Sequence, residues 1–318
     1  MNPAALRIAL SKRAKRPGPI GALFAQAALK VTPQAGGDLE VQLWGRPVRL
    51  PANHHLPFIV GRNPFWSMPL VHSAAALGDR KNSKLTVVDV GANVGDSVVM
   101  LESYLPGRCE FLCLEPNAEW LPYLTSNTSG LPVEIIARFI GEGQLLEVNS
   151  SAPGTAGSKV TATGERSVPL DEICNGRSID LIKIDTDGFD FSILRSGRET
   201  LLSKKPALYF EWDPITWSEQ GEDPEAIFPW LSTLGYKDFC FFADGGFLYC
   251  RTVANQPETI RSLIGAARAR RGVDNLYWDV LAASSDVCDG AIQHNLEGSR
   301  KLSTEIRFWN RLQPTYWQ

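Results

Sequence analysis

Between residues 85 and 251 the chain alternates short continuous apolar runs with longer stretches whose apolar positions recur every three or four residues. The runs at 85–90, 110–114, 133–140, 180–185 and 207–212 have the length of strands. They are apolar on both faces, as strands of a parallel sheet are when helices cover both sides. The stretches at 96–105, 118–126, 190–202 and 224–234 have helical spacing. Asp96 or Ser97 caps the first of these, and Pro106-Gly107 ends it. Residues 239–243 and 247–251 flank Asp244-Gly245-Gly246 and predict an antiparallel pair. Alternation of this kind predicts a mostly parallel sheet with helices on both faces.

The flanks read differently. Residues 20–30 predict a helix, residues 39–44 and 47–50 a short hairpin, and residues 51–66 a loop-rich stretch leading to a helix at 68–78. The Gly/Ser-rich segment 141–164 predicts a loop or short hairpin, and residues 255–318 a mainly helical segment. The expected organisation is an N-terminal extension over 1–80, a cofactor-binding domain over 81–254 and a C-terminal helical segment over 255–318 packed on the core.

Composition narrows the function classes. With 44% apolar and 21% charged residues, the 318-residue chain is an ordinary globular protein. A net charge of −3 disfavours a nucleic-acid partner. No run approaches the roughly 20 apolar residues of a membrane span. The basic stretch Arg7–Arg16 runs into Pro17-Gly18-Pro19 instead of an apolar core, so no secretory signal is expected. The six cysteines form no Cys-x-x-Cys pair, and the four histidines form no His-Glu-x-x-His. These features point to a cytoplasmic protein without a zinc site.

Three segments carry chemistry. In Val88-Asp89-Val90-Gly91-Ala92-Asn93-Val94-Gly95-Asp96 a strand meets a glycine turn and a helix start, where free N–H groups and a dipole end favour an anionic ligand group. Asn93 stands where a dinucleotide fingerprint needs its middle glycine, which argues against an NAD-dependent dehydrogenase. Glu115 ends the next strand, 20 residues after Gly95, where an acid can accept from both ribose hydroxyls. In Asp180-Leu181-Ile182-Lys183-Ile184-Asp185-Thr186-Asp187-Gly188 the acids fall at the carboxyl end of the fourth strand. There ligands of open α/β sheets bind, and Lys183 and Asp185 share a face. The alternatives are a structural Lys–Asp ion pair in place of a catalytic group, and a non-catalytic binding module in place of an enzyme.

These segments, with Leu114-Glu115-Pro116, Asn127 closing a helix, Glu211 after Tyr209-Phe210, and the upstream His54-His55-Leu56-Pro57, resemble the FkbM family of methyltransferases over about residues 85–215. The family often has Glu-Gly where this chain has Asp187-Gly188. The resemblance implies a class I methyltransferase Rossmann-like α/β fold with a mostly parallel seven-stranded sheet and a terminal antiparallel hairpin. It also implies transfer of a methyl group from S-adenosylmethionine to a hydroxyl of a sugar, a glycan or a small natural product. The positions that would hold the cofactor are Asp89, Gly91, Asn93, Gly95, Asp96, Ser97, Glu115, Pro116, Ile140 and Asp185. The candidate bases are Asp185, Glu211 and His54, with Lys183 orienting Asp185. Asp185, Asp187 and Glu211 carry oxygen ligands of the kind Mg²⁺ takes, but three acids do not define a site and no metal is expected. Trp66, Trp212 and Trp217 are candidates for stacking on a sugar face.

Overall fold

The computed structural model describes residues 38–51, 54–151, 158–186, 188–253, 256–272 and 276–312. The helix expected at 20–30, the basic N-terminal stretch and Asp187 lie outside the described residues.

The chain enters through a hairpin of β1 (Asp38–Leu43) and β2 (Arg46–Pro51), with Val41 opposite Val48. Its two-residue turn has positive φ at both Trp44 (51°) and Gly45 (80°), which matches the right-handed twist of paired strands. Two helices follow, α1 (Leu56–Arg62) and α2 (Met68–Gly78). The first replaces part of the expected loop: Pro57 in its first turn has φ preset for a helix and no N–H to leave unsatisfied.

The expected alternation then appears as β3 (Leu85–Val90), α3 (Asp96–Tyr104), β4 (Cys109–Leu114), α4 (Leu121–Asn127) and β5 (Val133–Ile136). The Gly/Ser-rich segment folds as a separate hairpin, β6 (Leu145–Ser151) with β7 (Ser158–Arg166). Next come α5 (Leu170–Cys174), β8 (Leu181–Ile184), α6 (Asp190–Ser196), α7 (Arg198–Lys204) and β9 (Ala207–Trp212). After α8 (Pro214–Glu219) and α9 (Ile227–Thr233), the hairpin strands β10 (Asp238–Ala243) and β11 (Leu248–Val253) pair antiparallel. The chain continues through α10 (Pro257–Arg270), β12 (Trp278–Ala283) and α11 (Ser285–Leu312).

The main sheet runs β11-β10-β12-β9-β8-β3-β4-β5. Neighbours from β5 to β9 are parallel, and β12 is antiparallel to both β9 and β10. This is the class I methyltransferase arrangement, with eight strands where seven were expected. The hairpin reaches the sheet only through β12, a strand within the segment read as mainly helical. Side chains alternate between two cores. Val88, Ile182 and Phe210 pack beneath α6, α9 and α10, while Val87, Leu181 and Leu281 pack beneath α2, α3 and α11. Asn295 of α11 donates to the Gly246 carbonyl (2.8 Å) and accepts from the Leu248 N–H (3.1 Å), fixing the β10–β11 turn.

Candidate active site

A cleft of about 620 Å³ opens at the carboxyl ends of β3, β8 and β9, the position at which open α/β sheets bind ligands. Its floor is formed by Gly91, Asn93, Asp96, Lys183, Asp185 and Glu211. One wall comes from the N-terminal helices through Phe58, Ile59, Asn63 and Trp66. The other comes from the β10–β11 turn and β12 through Asp244, Tyr277 and Asp279.

The turn after β3 is built on left-handed backbone at Gly91 (φ 78°), Asn93 (47°) and Gly95 (84°). A β-carbon on Gly91 would lie 2.1 Å from the Asp185 carbonyl oxygen. The neighbouring strand end therefore demands this glycine. Glu115, 5% exposed, accepts the Asn93 N–H at 2.8 Å with Oε2 and the Asn117 N–H at 2.8 Å with Oε1. It pins the turn while each oxygen keeps a lone pair for a further donor. Burial pushes its pKa up to about 7 against these two bonds.

Beneath the turn a polar row crosses the sheet. Asp89 is in register with Lys183, and Lys183 with Tyr209. Lys183 lies 3.0 Å from Asp89 and 3.4 Å from Asp185, and donates to the Gly91 carbonyl at 3.2 Å. Its closest acidic partner is thus Asp89 on β3, not the Asp185 that follows two positions later in its own segment. Burial opposes the ammonium charge, but Asp89, Asp185 and Asp96 overcome it and hold the Lys183 pKa well above its ordinary value. Burial raises the Asp89 pKa, opposed by Lys183. It also pushes Asp96 up to about 6, again against Lys183.

The remaining expected positions stand off the cleft wall. A β-carbon on Gly95 would lie 3.0 Å from Leu124 of α4 and 3.0 Å from Thr128 just after it. Ser97 and Ile140 are buried, and Pro116 is half-buried. His54 is 3% exposed and turned edge-on to Trp120. Its Nδ1 accepts the Leu56 N–H at 3.2 Å and its Nε2 lies 3.4 Å from Asn93 Oδ1. In the tautomer that satisfies both contacts, Nε2 carries the hydrogen and Nδ1 has spent its lone pair. His54 thereby braces Asn93.

Of the three tryptophans, Trp66 lines the cleft. Trp212 and Trp217 are core residues, 0% and 1% exposed, and cannot stack on a ligand. Asp213 caps α8 by accepting from the Ile215 and Thr216 N–H groups. Among the described residues no group of three or more His, Cys, Asp or Glu side chains is arranged to hold a metal ion, and no helix is long and apolar enough to cross a membrane.

The sequence reading missed one side of the cleft. The Tyr209 hydroxyl donates to Asp279 Oδ2 at 2.8 Å, and the Tyr277 hydroxyl to Asp244 Oδ1 at 2.7 Å. Tyr209 carried a signal, since it sits two residues before Glu211 on the same strand face. Asp279 and Tyr277 carried none, because their strand was not recognised.

Residues 89–237 match the methyltransferase FkbM domain. Among solved structures the chain is similar to methyltransferase FkbM from Methylobacillus flagellatus KT, at 14% identity and a TM-score of 0.43, with 87% of this chain and 58% of that one covered. The chain thus spans little more than half the length of that protein. It is also similar to the METTL16 methyltransferase domain (12% identity, TM-score 0.43, 76% of this chain and 74% of that). A third similar structure is TrmK from M. capricolum in complex with S-adenosyl-homocysteine (12% identity, TM-score 0.35, 67% of each chain). No curated protein matches the chain.

Proposed function

From a chain that carries a methyltransferase FkbM domain over residues 89–237, we propose an S-adenosylmethionine-dependent O-methyltransferase acting on a hydroxyl of a sugar, a glycan or a small natural product. The observation that carries this reading is the cleft, where the Gly91–Asp96 turn and the acids Asp185 and Glu211 face one space. Its volume, about 620 Å³, suits a ligand of small-molecule size.

The residues fit the cofactor. Glu115 keeps spare acceptor capacity at the end of β4, as a ribose diol requires. Gly91, Asn93, Gly95, Asp96 and Ser97 bring backbone N–H groups to the start of α3, which suits the carboxylate of the methionine part. Asp89 and Pro116 back this turn from the ends of β3 and β4. When bound, S-adenosylmethionine supplies an electrophilic methyl group on a sulfonium.

Acids outnumber cations on the cleft wall: Asp96, Asp185, Glu211, Asp244 and Asp279 against Lys183. That balance favours a cationic donor with an uncharged acceptor and disfavours a phosphate-rich one such as RNA. Trp66 and Tyr277 offer aromatic surface for a sugar face. Asp185, paired with Lys183, is held to orient the reacting groups, with Glu211 beside it. Asp213 itself is engaged in capping α8, which leaves Glu211 as the acid of Glu211-Trp212-Asp213-Pro214 that faces the cleft.

Calorimetry with S-adenosylmethionine should give saturable binding that Glu115→Ala weakens about tenfold or more, since hydrogen bonds to a charged group contribute about 1.5–3 kcal/mol each. Release of S-adenosylhomocysteine should then rise with some member of a panel of neutral sugars and polyols. Absence of cofactor binding in the wild type would sink the reading. Turnover on RNA alone would replace its acceptor.

A further inference from the structure

Among the described residues, the acid that faces the cleft from β12 has no counter-ion of its own. Asp279 is in register with Glu211 of β9, and its Oδ2 accepts the Tyr209 hydroxyl at 2.8 Å. Among the described residues no Lys, Arg or His forms an ion pair with it, because the nearest cation of the site, Lys183, is engaged by Asp89 and Asp185. Tyr209 is buried at 4% exposure and stands beside Lys183 in the polar row. Its ring is therefore fixed, and so is the carboxylate that its hydroxyl holds.

Resting on the methyl-transfer reading above, we propose that Asp279, steadied by Tyr209, is the proton acceptor for the acceptor hydroxyl. As the hydroxyl oxygen forms its bond to the methyl carbon and the C–S electron pair returns to sulfur, the hydroxyl proton passes to the Asp279 carboxylate. The positive charge of the donor and the negative charge of the carboxylate disappear together, and the proton later leaves to solvent.

The surroundings suit this task. Burial pushes the Asp279 pKa up to about 7. The Tyr209 hydroxyl and Lys183 pull it down, while Asp185 and Asp244 push it further up. Glu211 on β9 and Tyr277, just before β12, also line the cleft. A base whose pKa lies near the working pH is both ionised in part and strong enough to take a proton. Asp185 is paired with Lys183 at 3.4 Å, and the Nδ1 lone pair of His54 is spent on the Leu56 N–H.

The test compares wild type, Asp279→Asn and Tyr209→Phe. With ¹³C-labelled aspartate carboxyls, the resonance absent from Asp279→Asn identifies Asp279. It should titrate near pH 7 in the ligand-free protein. In Tyr209→Phe it should move upward by about half a unit or more, because the lost hydroxyl favoured the ionised form. With the hydroxyl acceptor that supports S-adenosylhomocysteine release in the wild type, Asp279→Asn should lower kcat about 100-fold or more. Affinity for S-adenosylmethionine should stay within about threefold, since the side chain acts on the acceptor. A midpoint in the ordinary carboxylate range, or an undiminished kcat, overturns the assignment while leaving methyl transfer intact. Failure of the wild type to bind S-adenosylmethionine removes the reading on which the assignment rests.

Discussion

A β-carbon at Gly91 meets the Asp185 carbonyl oxygen at 2.1 Å, whereas one at Gly130 meets nothing within 4 Å, and both residues have φ near 80°. The two positions separate conformational strain from collision. Gly130→Ala should cost only the left-handed penalty, about 1–2 kcal/mol. Gly91→Ala should cost at least about 2 kcal/mol more in chemical denaturation, with β3 and β8 forced apart at their ends. Equal losses would mean that the strand ends yield easily. Single residues were the most legible layer of this site. Asp89, Gly91, Glu115 and Lys183 are all marked by type and spacing, and all lie at the ends of the strands where they were expected. What the chain order hid was who faces whom. Lys183 has Asp185 two residues away, but its shortest contact is to Asp89, 94 positions earlier, set by the pairing of β3 with β8.

At the level of elements, the five parallel strands were readable because each is a short, mostly apolar run, and all but the edge strand β5 are largely buried on both faces. Residues 278–283 have the same character, but lie 66 positions beyond the strand they pair with and directly before a long helix. Local pattern gives no reason for such a strand to leave its own segment and divide β9 from the hairpin. Its importance is open to measurement. Trp278 is 0% exposed and packs on Trp212 with ring centroids 5.5 Å apart. Trp278→Ala should lower stability by about 3–5 kcal/mol in urea unfolding. A chain ended at residue 253 should lose its cooperative thermal transition, because the edges of β9 and β10 are left without a partner. A sharp melt in that truncated form would show that the hairpin can pair with β9 unaided.

For the molecule as a whole, the acids gathered at one end of the sheet couple folding to pH. Glu115 and Asp279 are raised to about 7 in the folded protein, from 4.5 and 3.8 respectively. The folded state therefore binds more protons than the unfolded chain, and stability falls as pH rises through 7. Buried His72, lowered from 6.5 to about 4, acts in the opposite sense, mainly below pH 6.5, where the unfolded chain takes up the proton that the folded state refuses, and its effect fades by about pH 7.5. Between pH 6.5 and 8 the two acids outweigh the waning His72 contribution. Unfolding free energy should drop there by on the order of 1 kcal/mol, and Glu115→Gln should lessen the slope. A flat profile across that window would show that both carboxyls titrate normally.

The place of β12 also sets a timetable for synthesis. The ribosome delivers β9, then β10 and β11, while the position between them in the sheet is still vacant. Until residues 278–283 emerge, β9 and β10 each present an open edge, and the hairpin must wait without docking where it would block the incoming strand. Asp279 and Tyr277 arrive in that same stretch. A nascent chain therefore cannot assemble the β12 side of the cleft early, and a ribosome stalled before residue 278 holds a sheet with a gap and a cleft with that side incomplete.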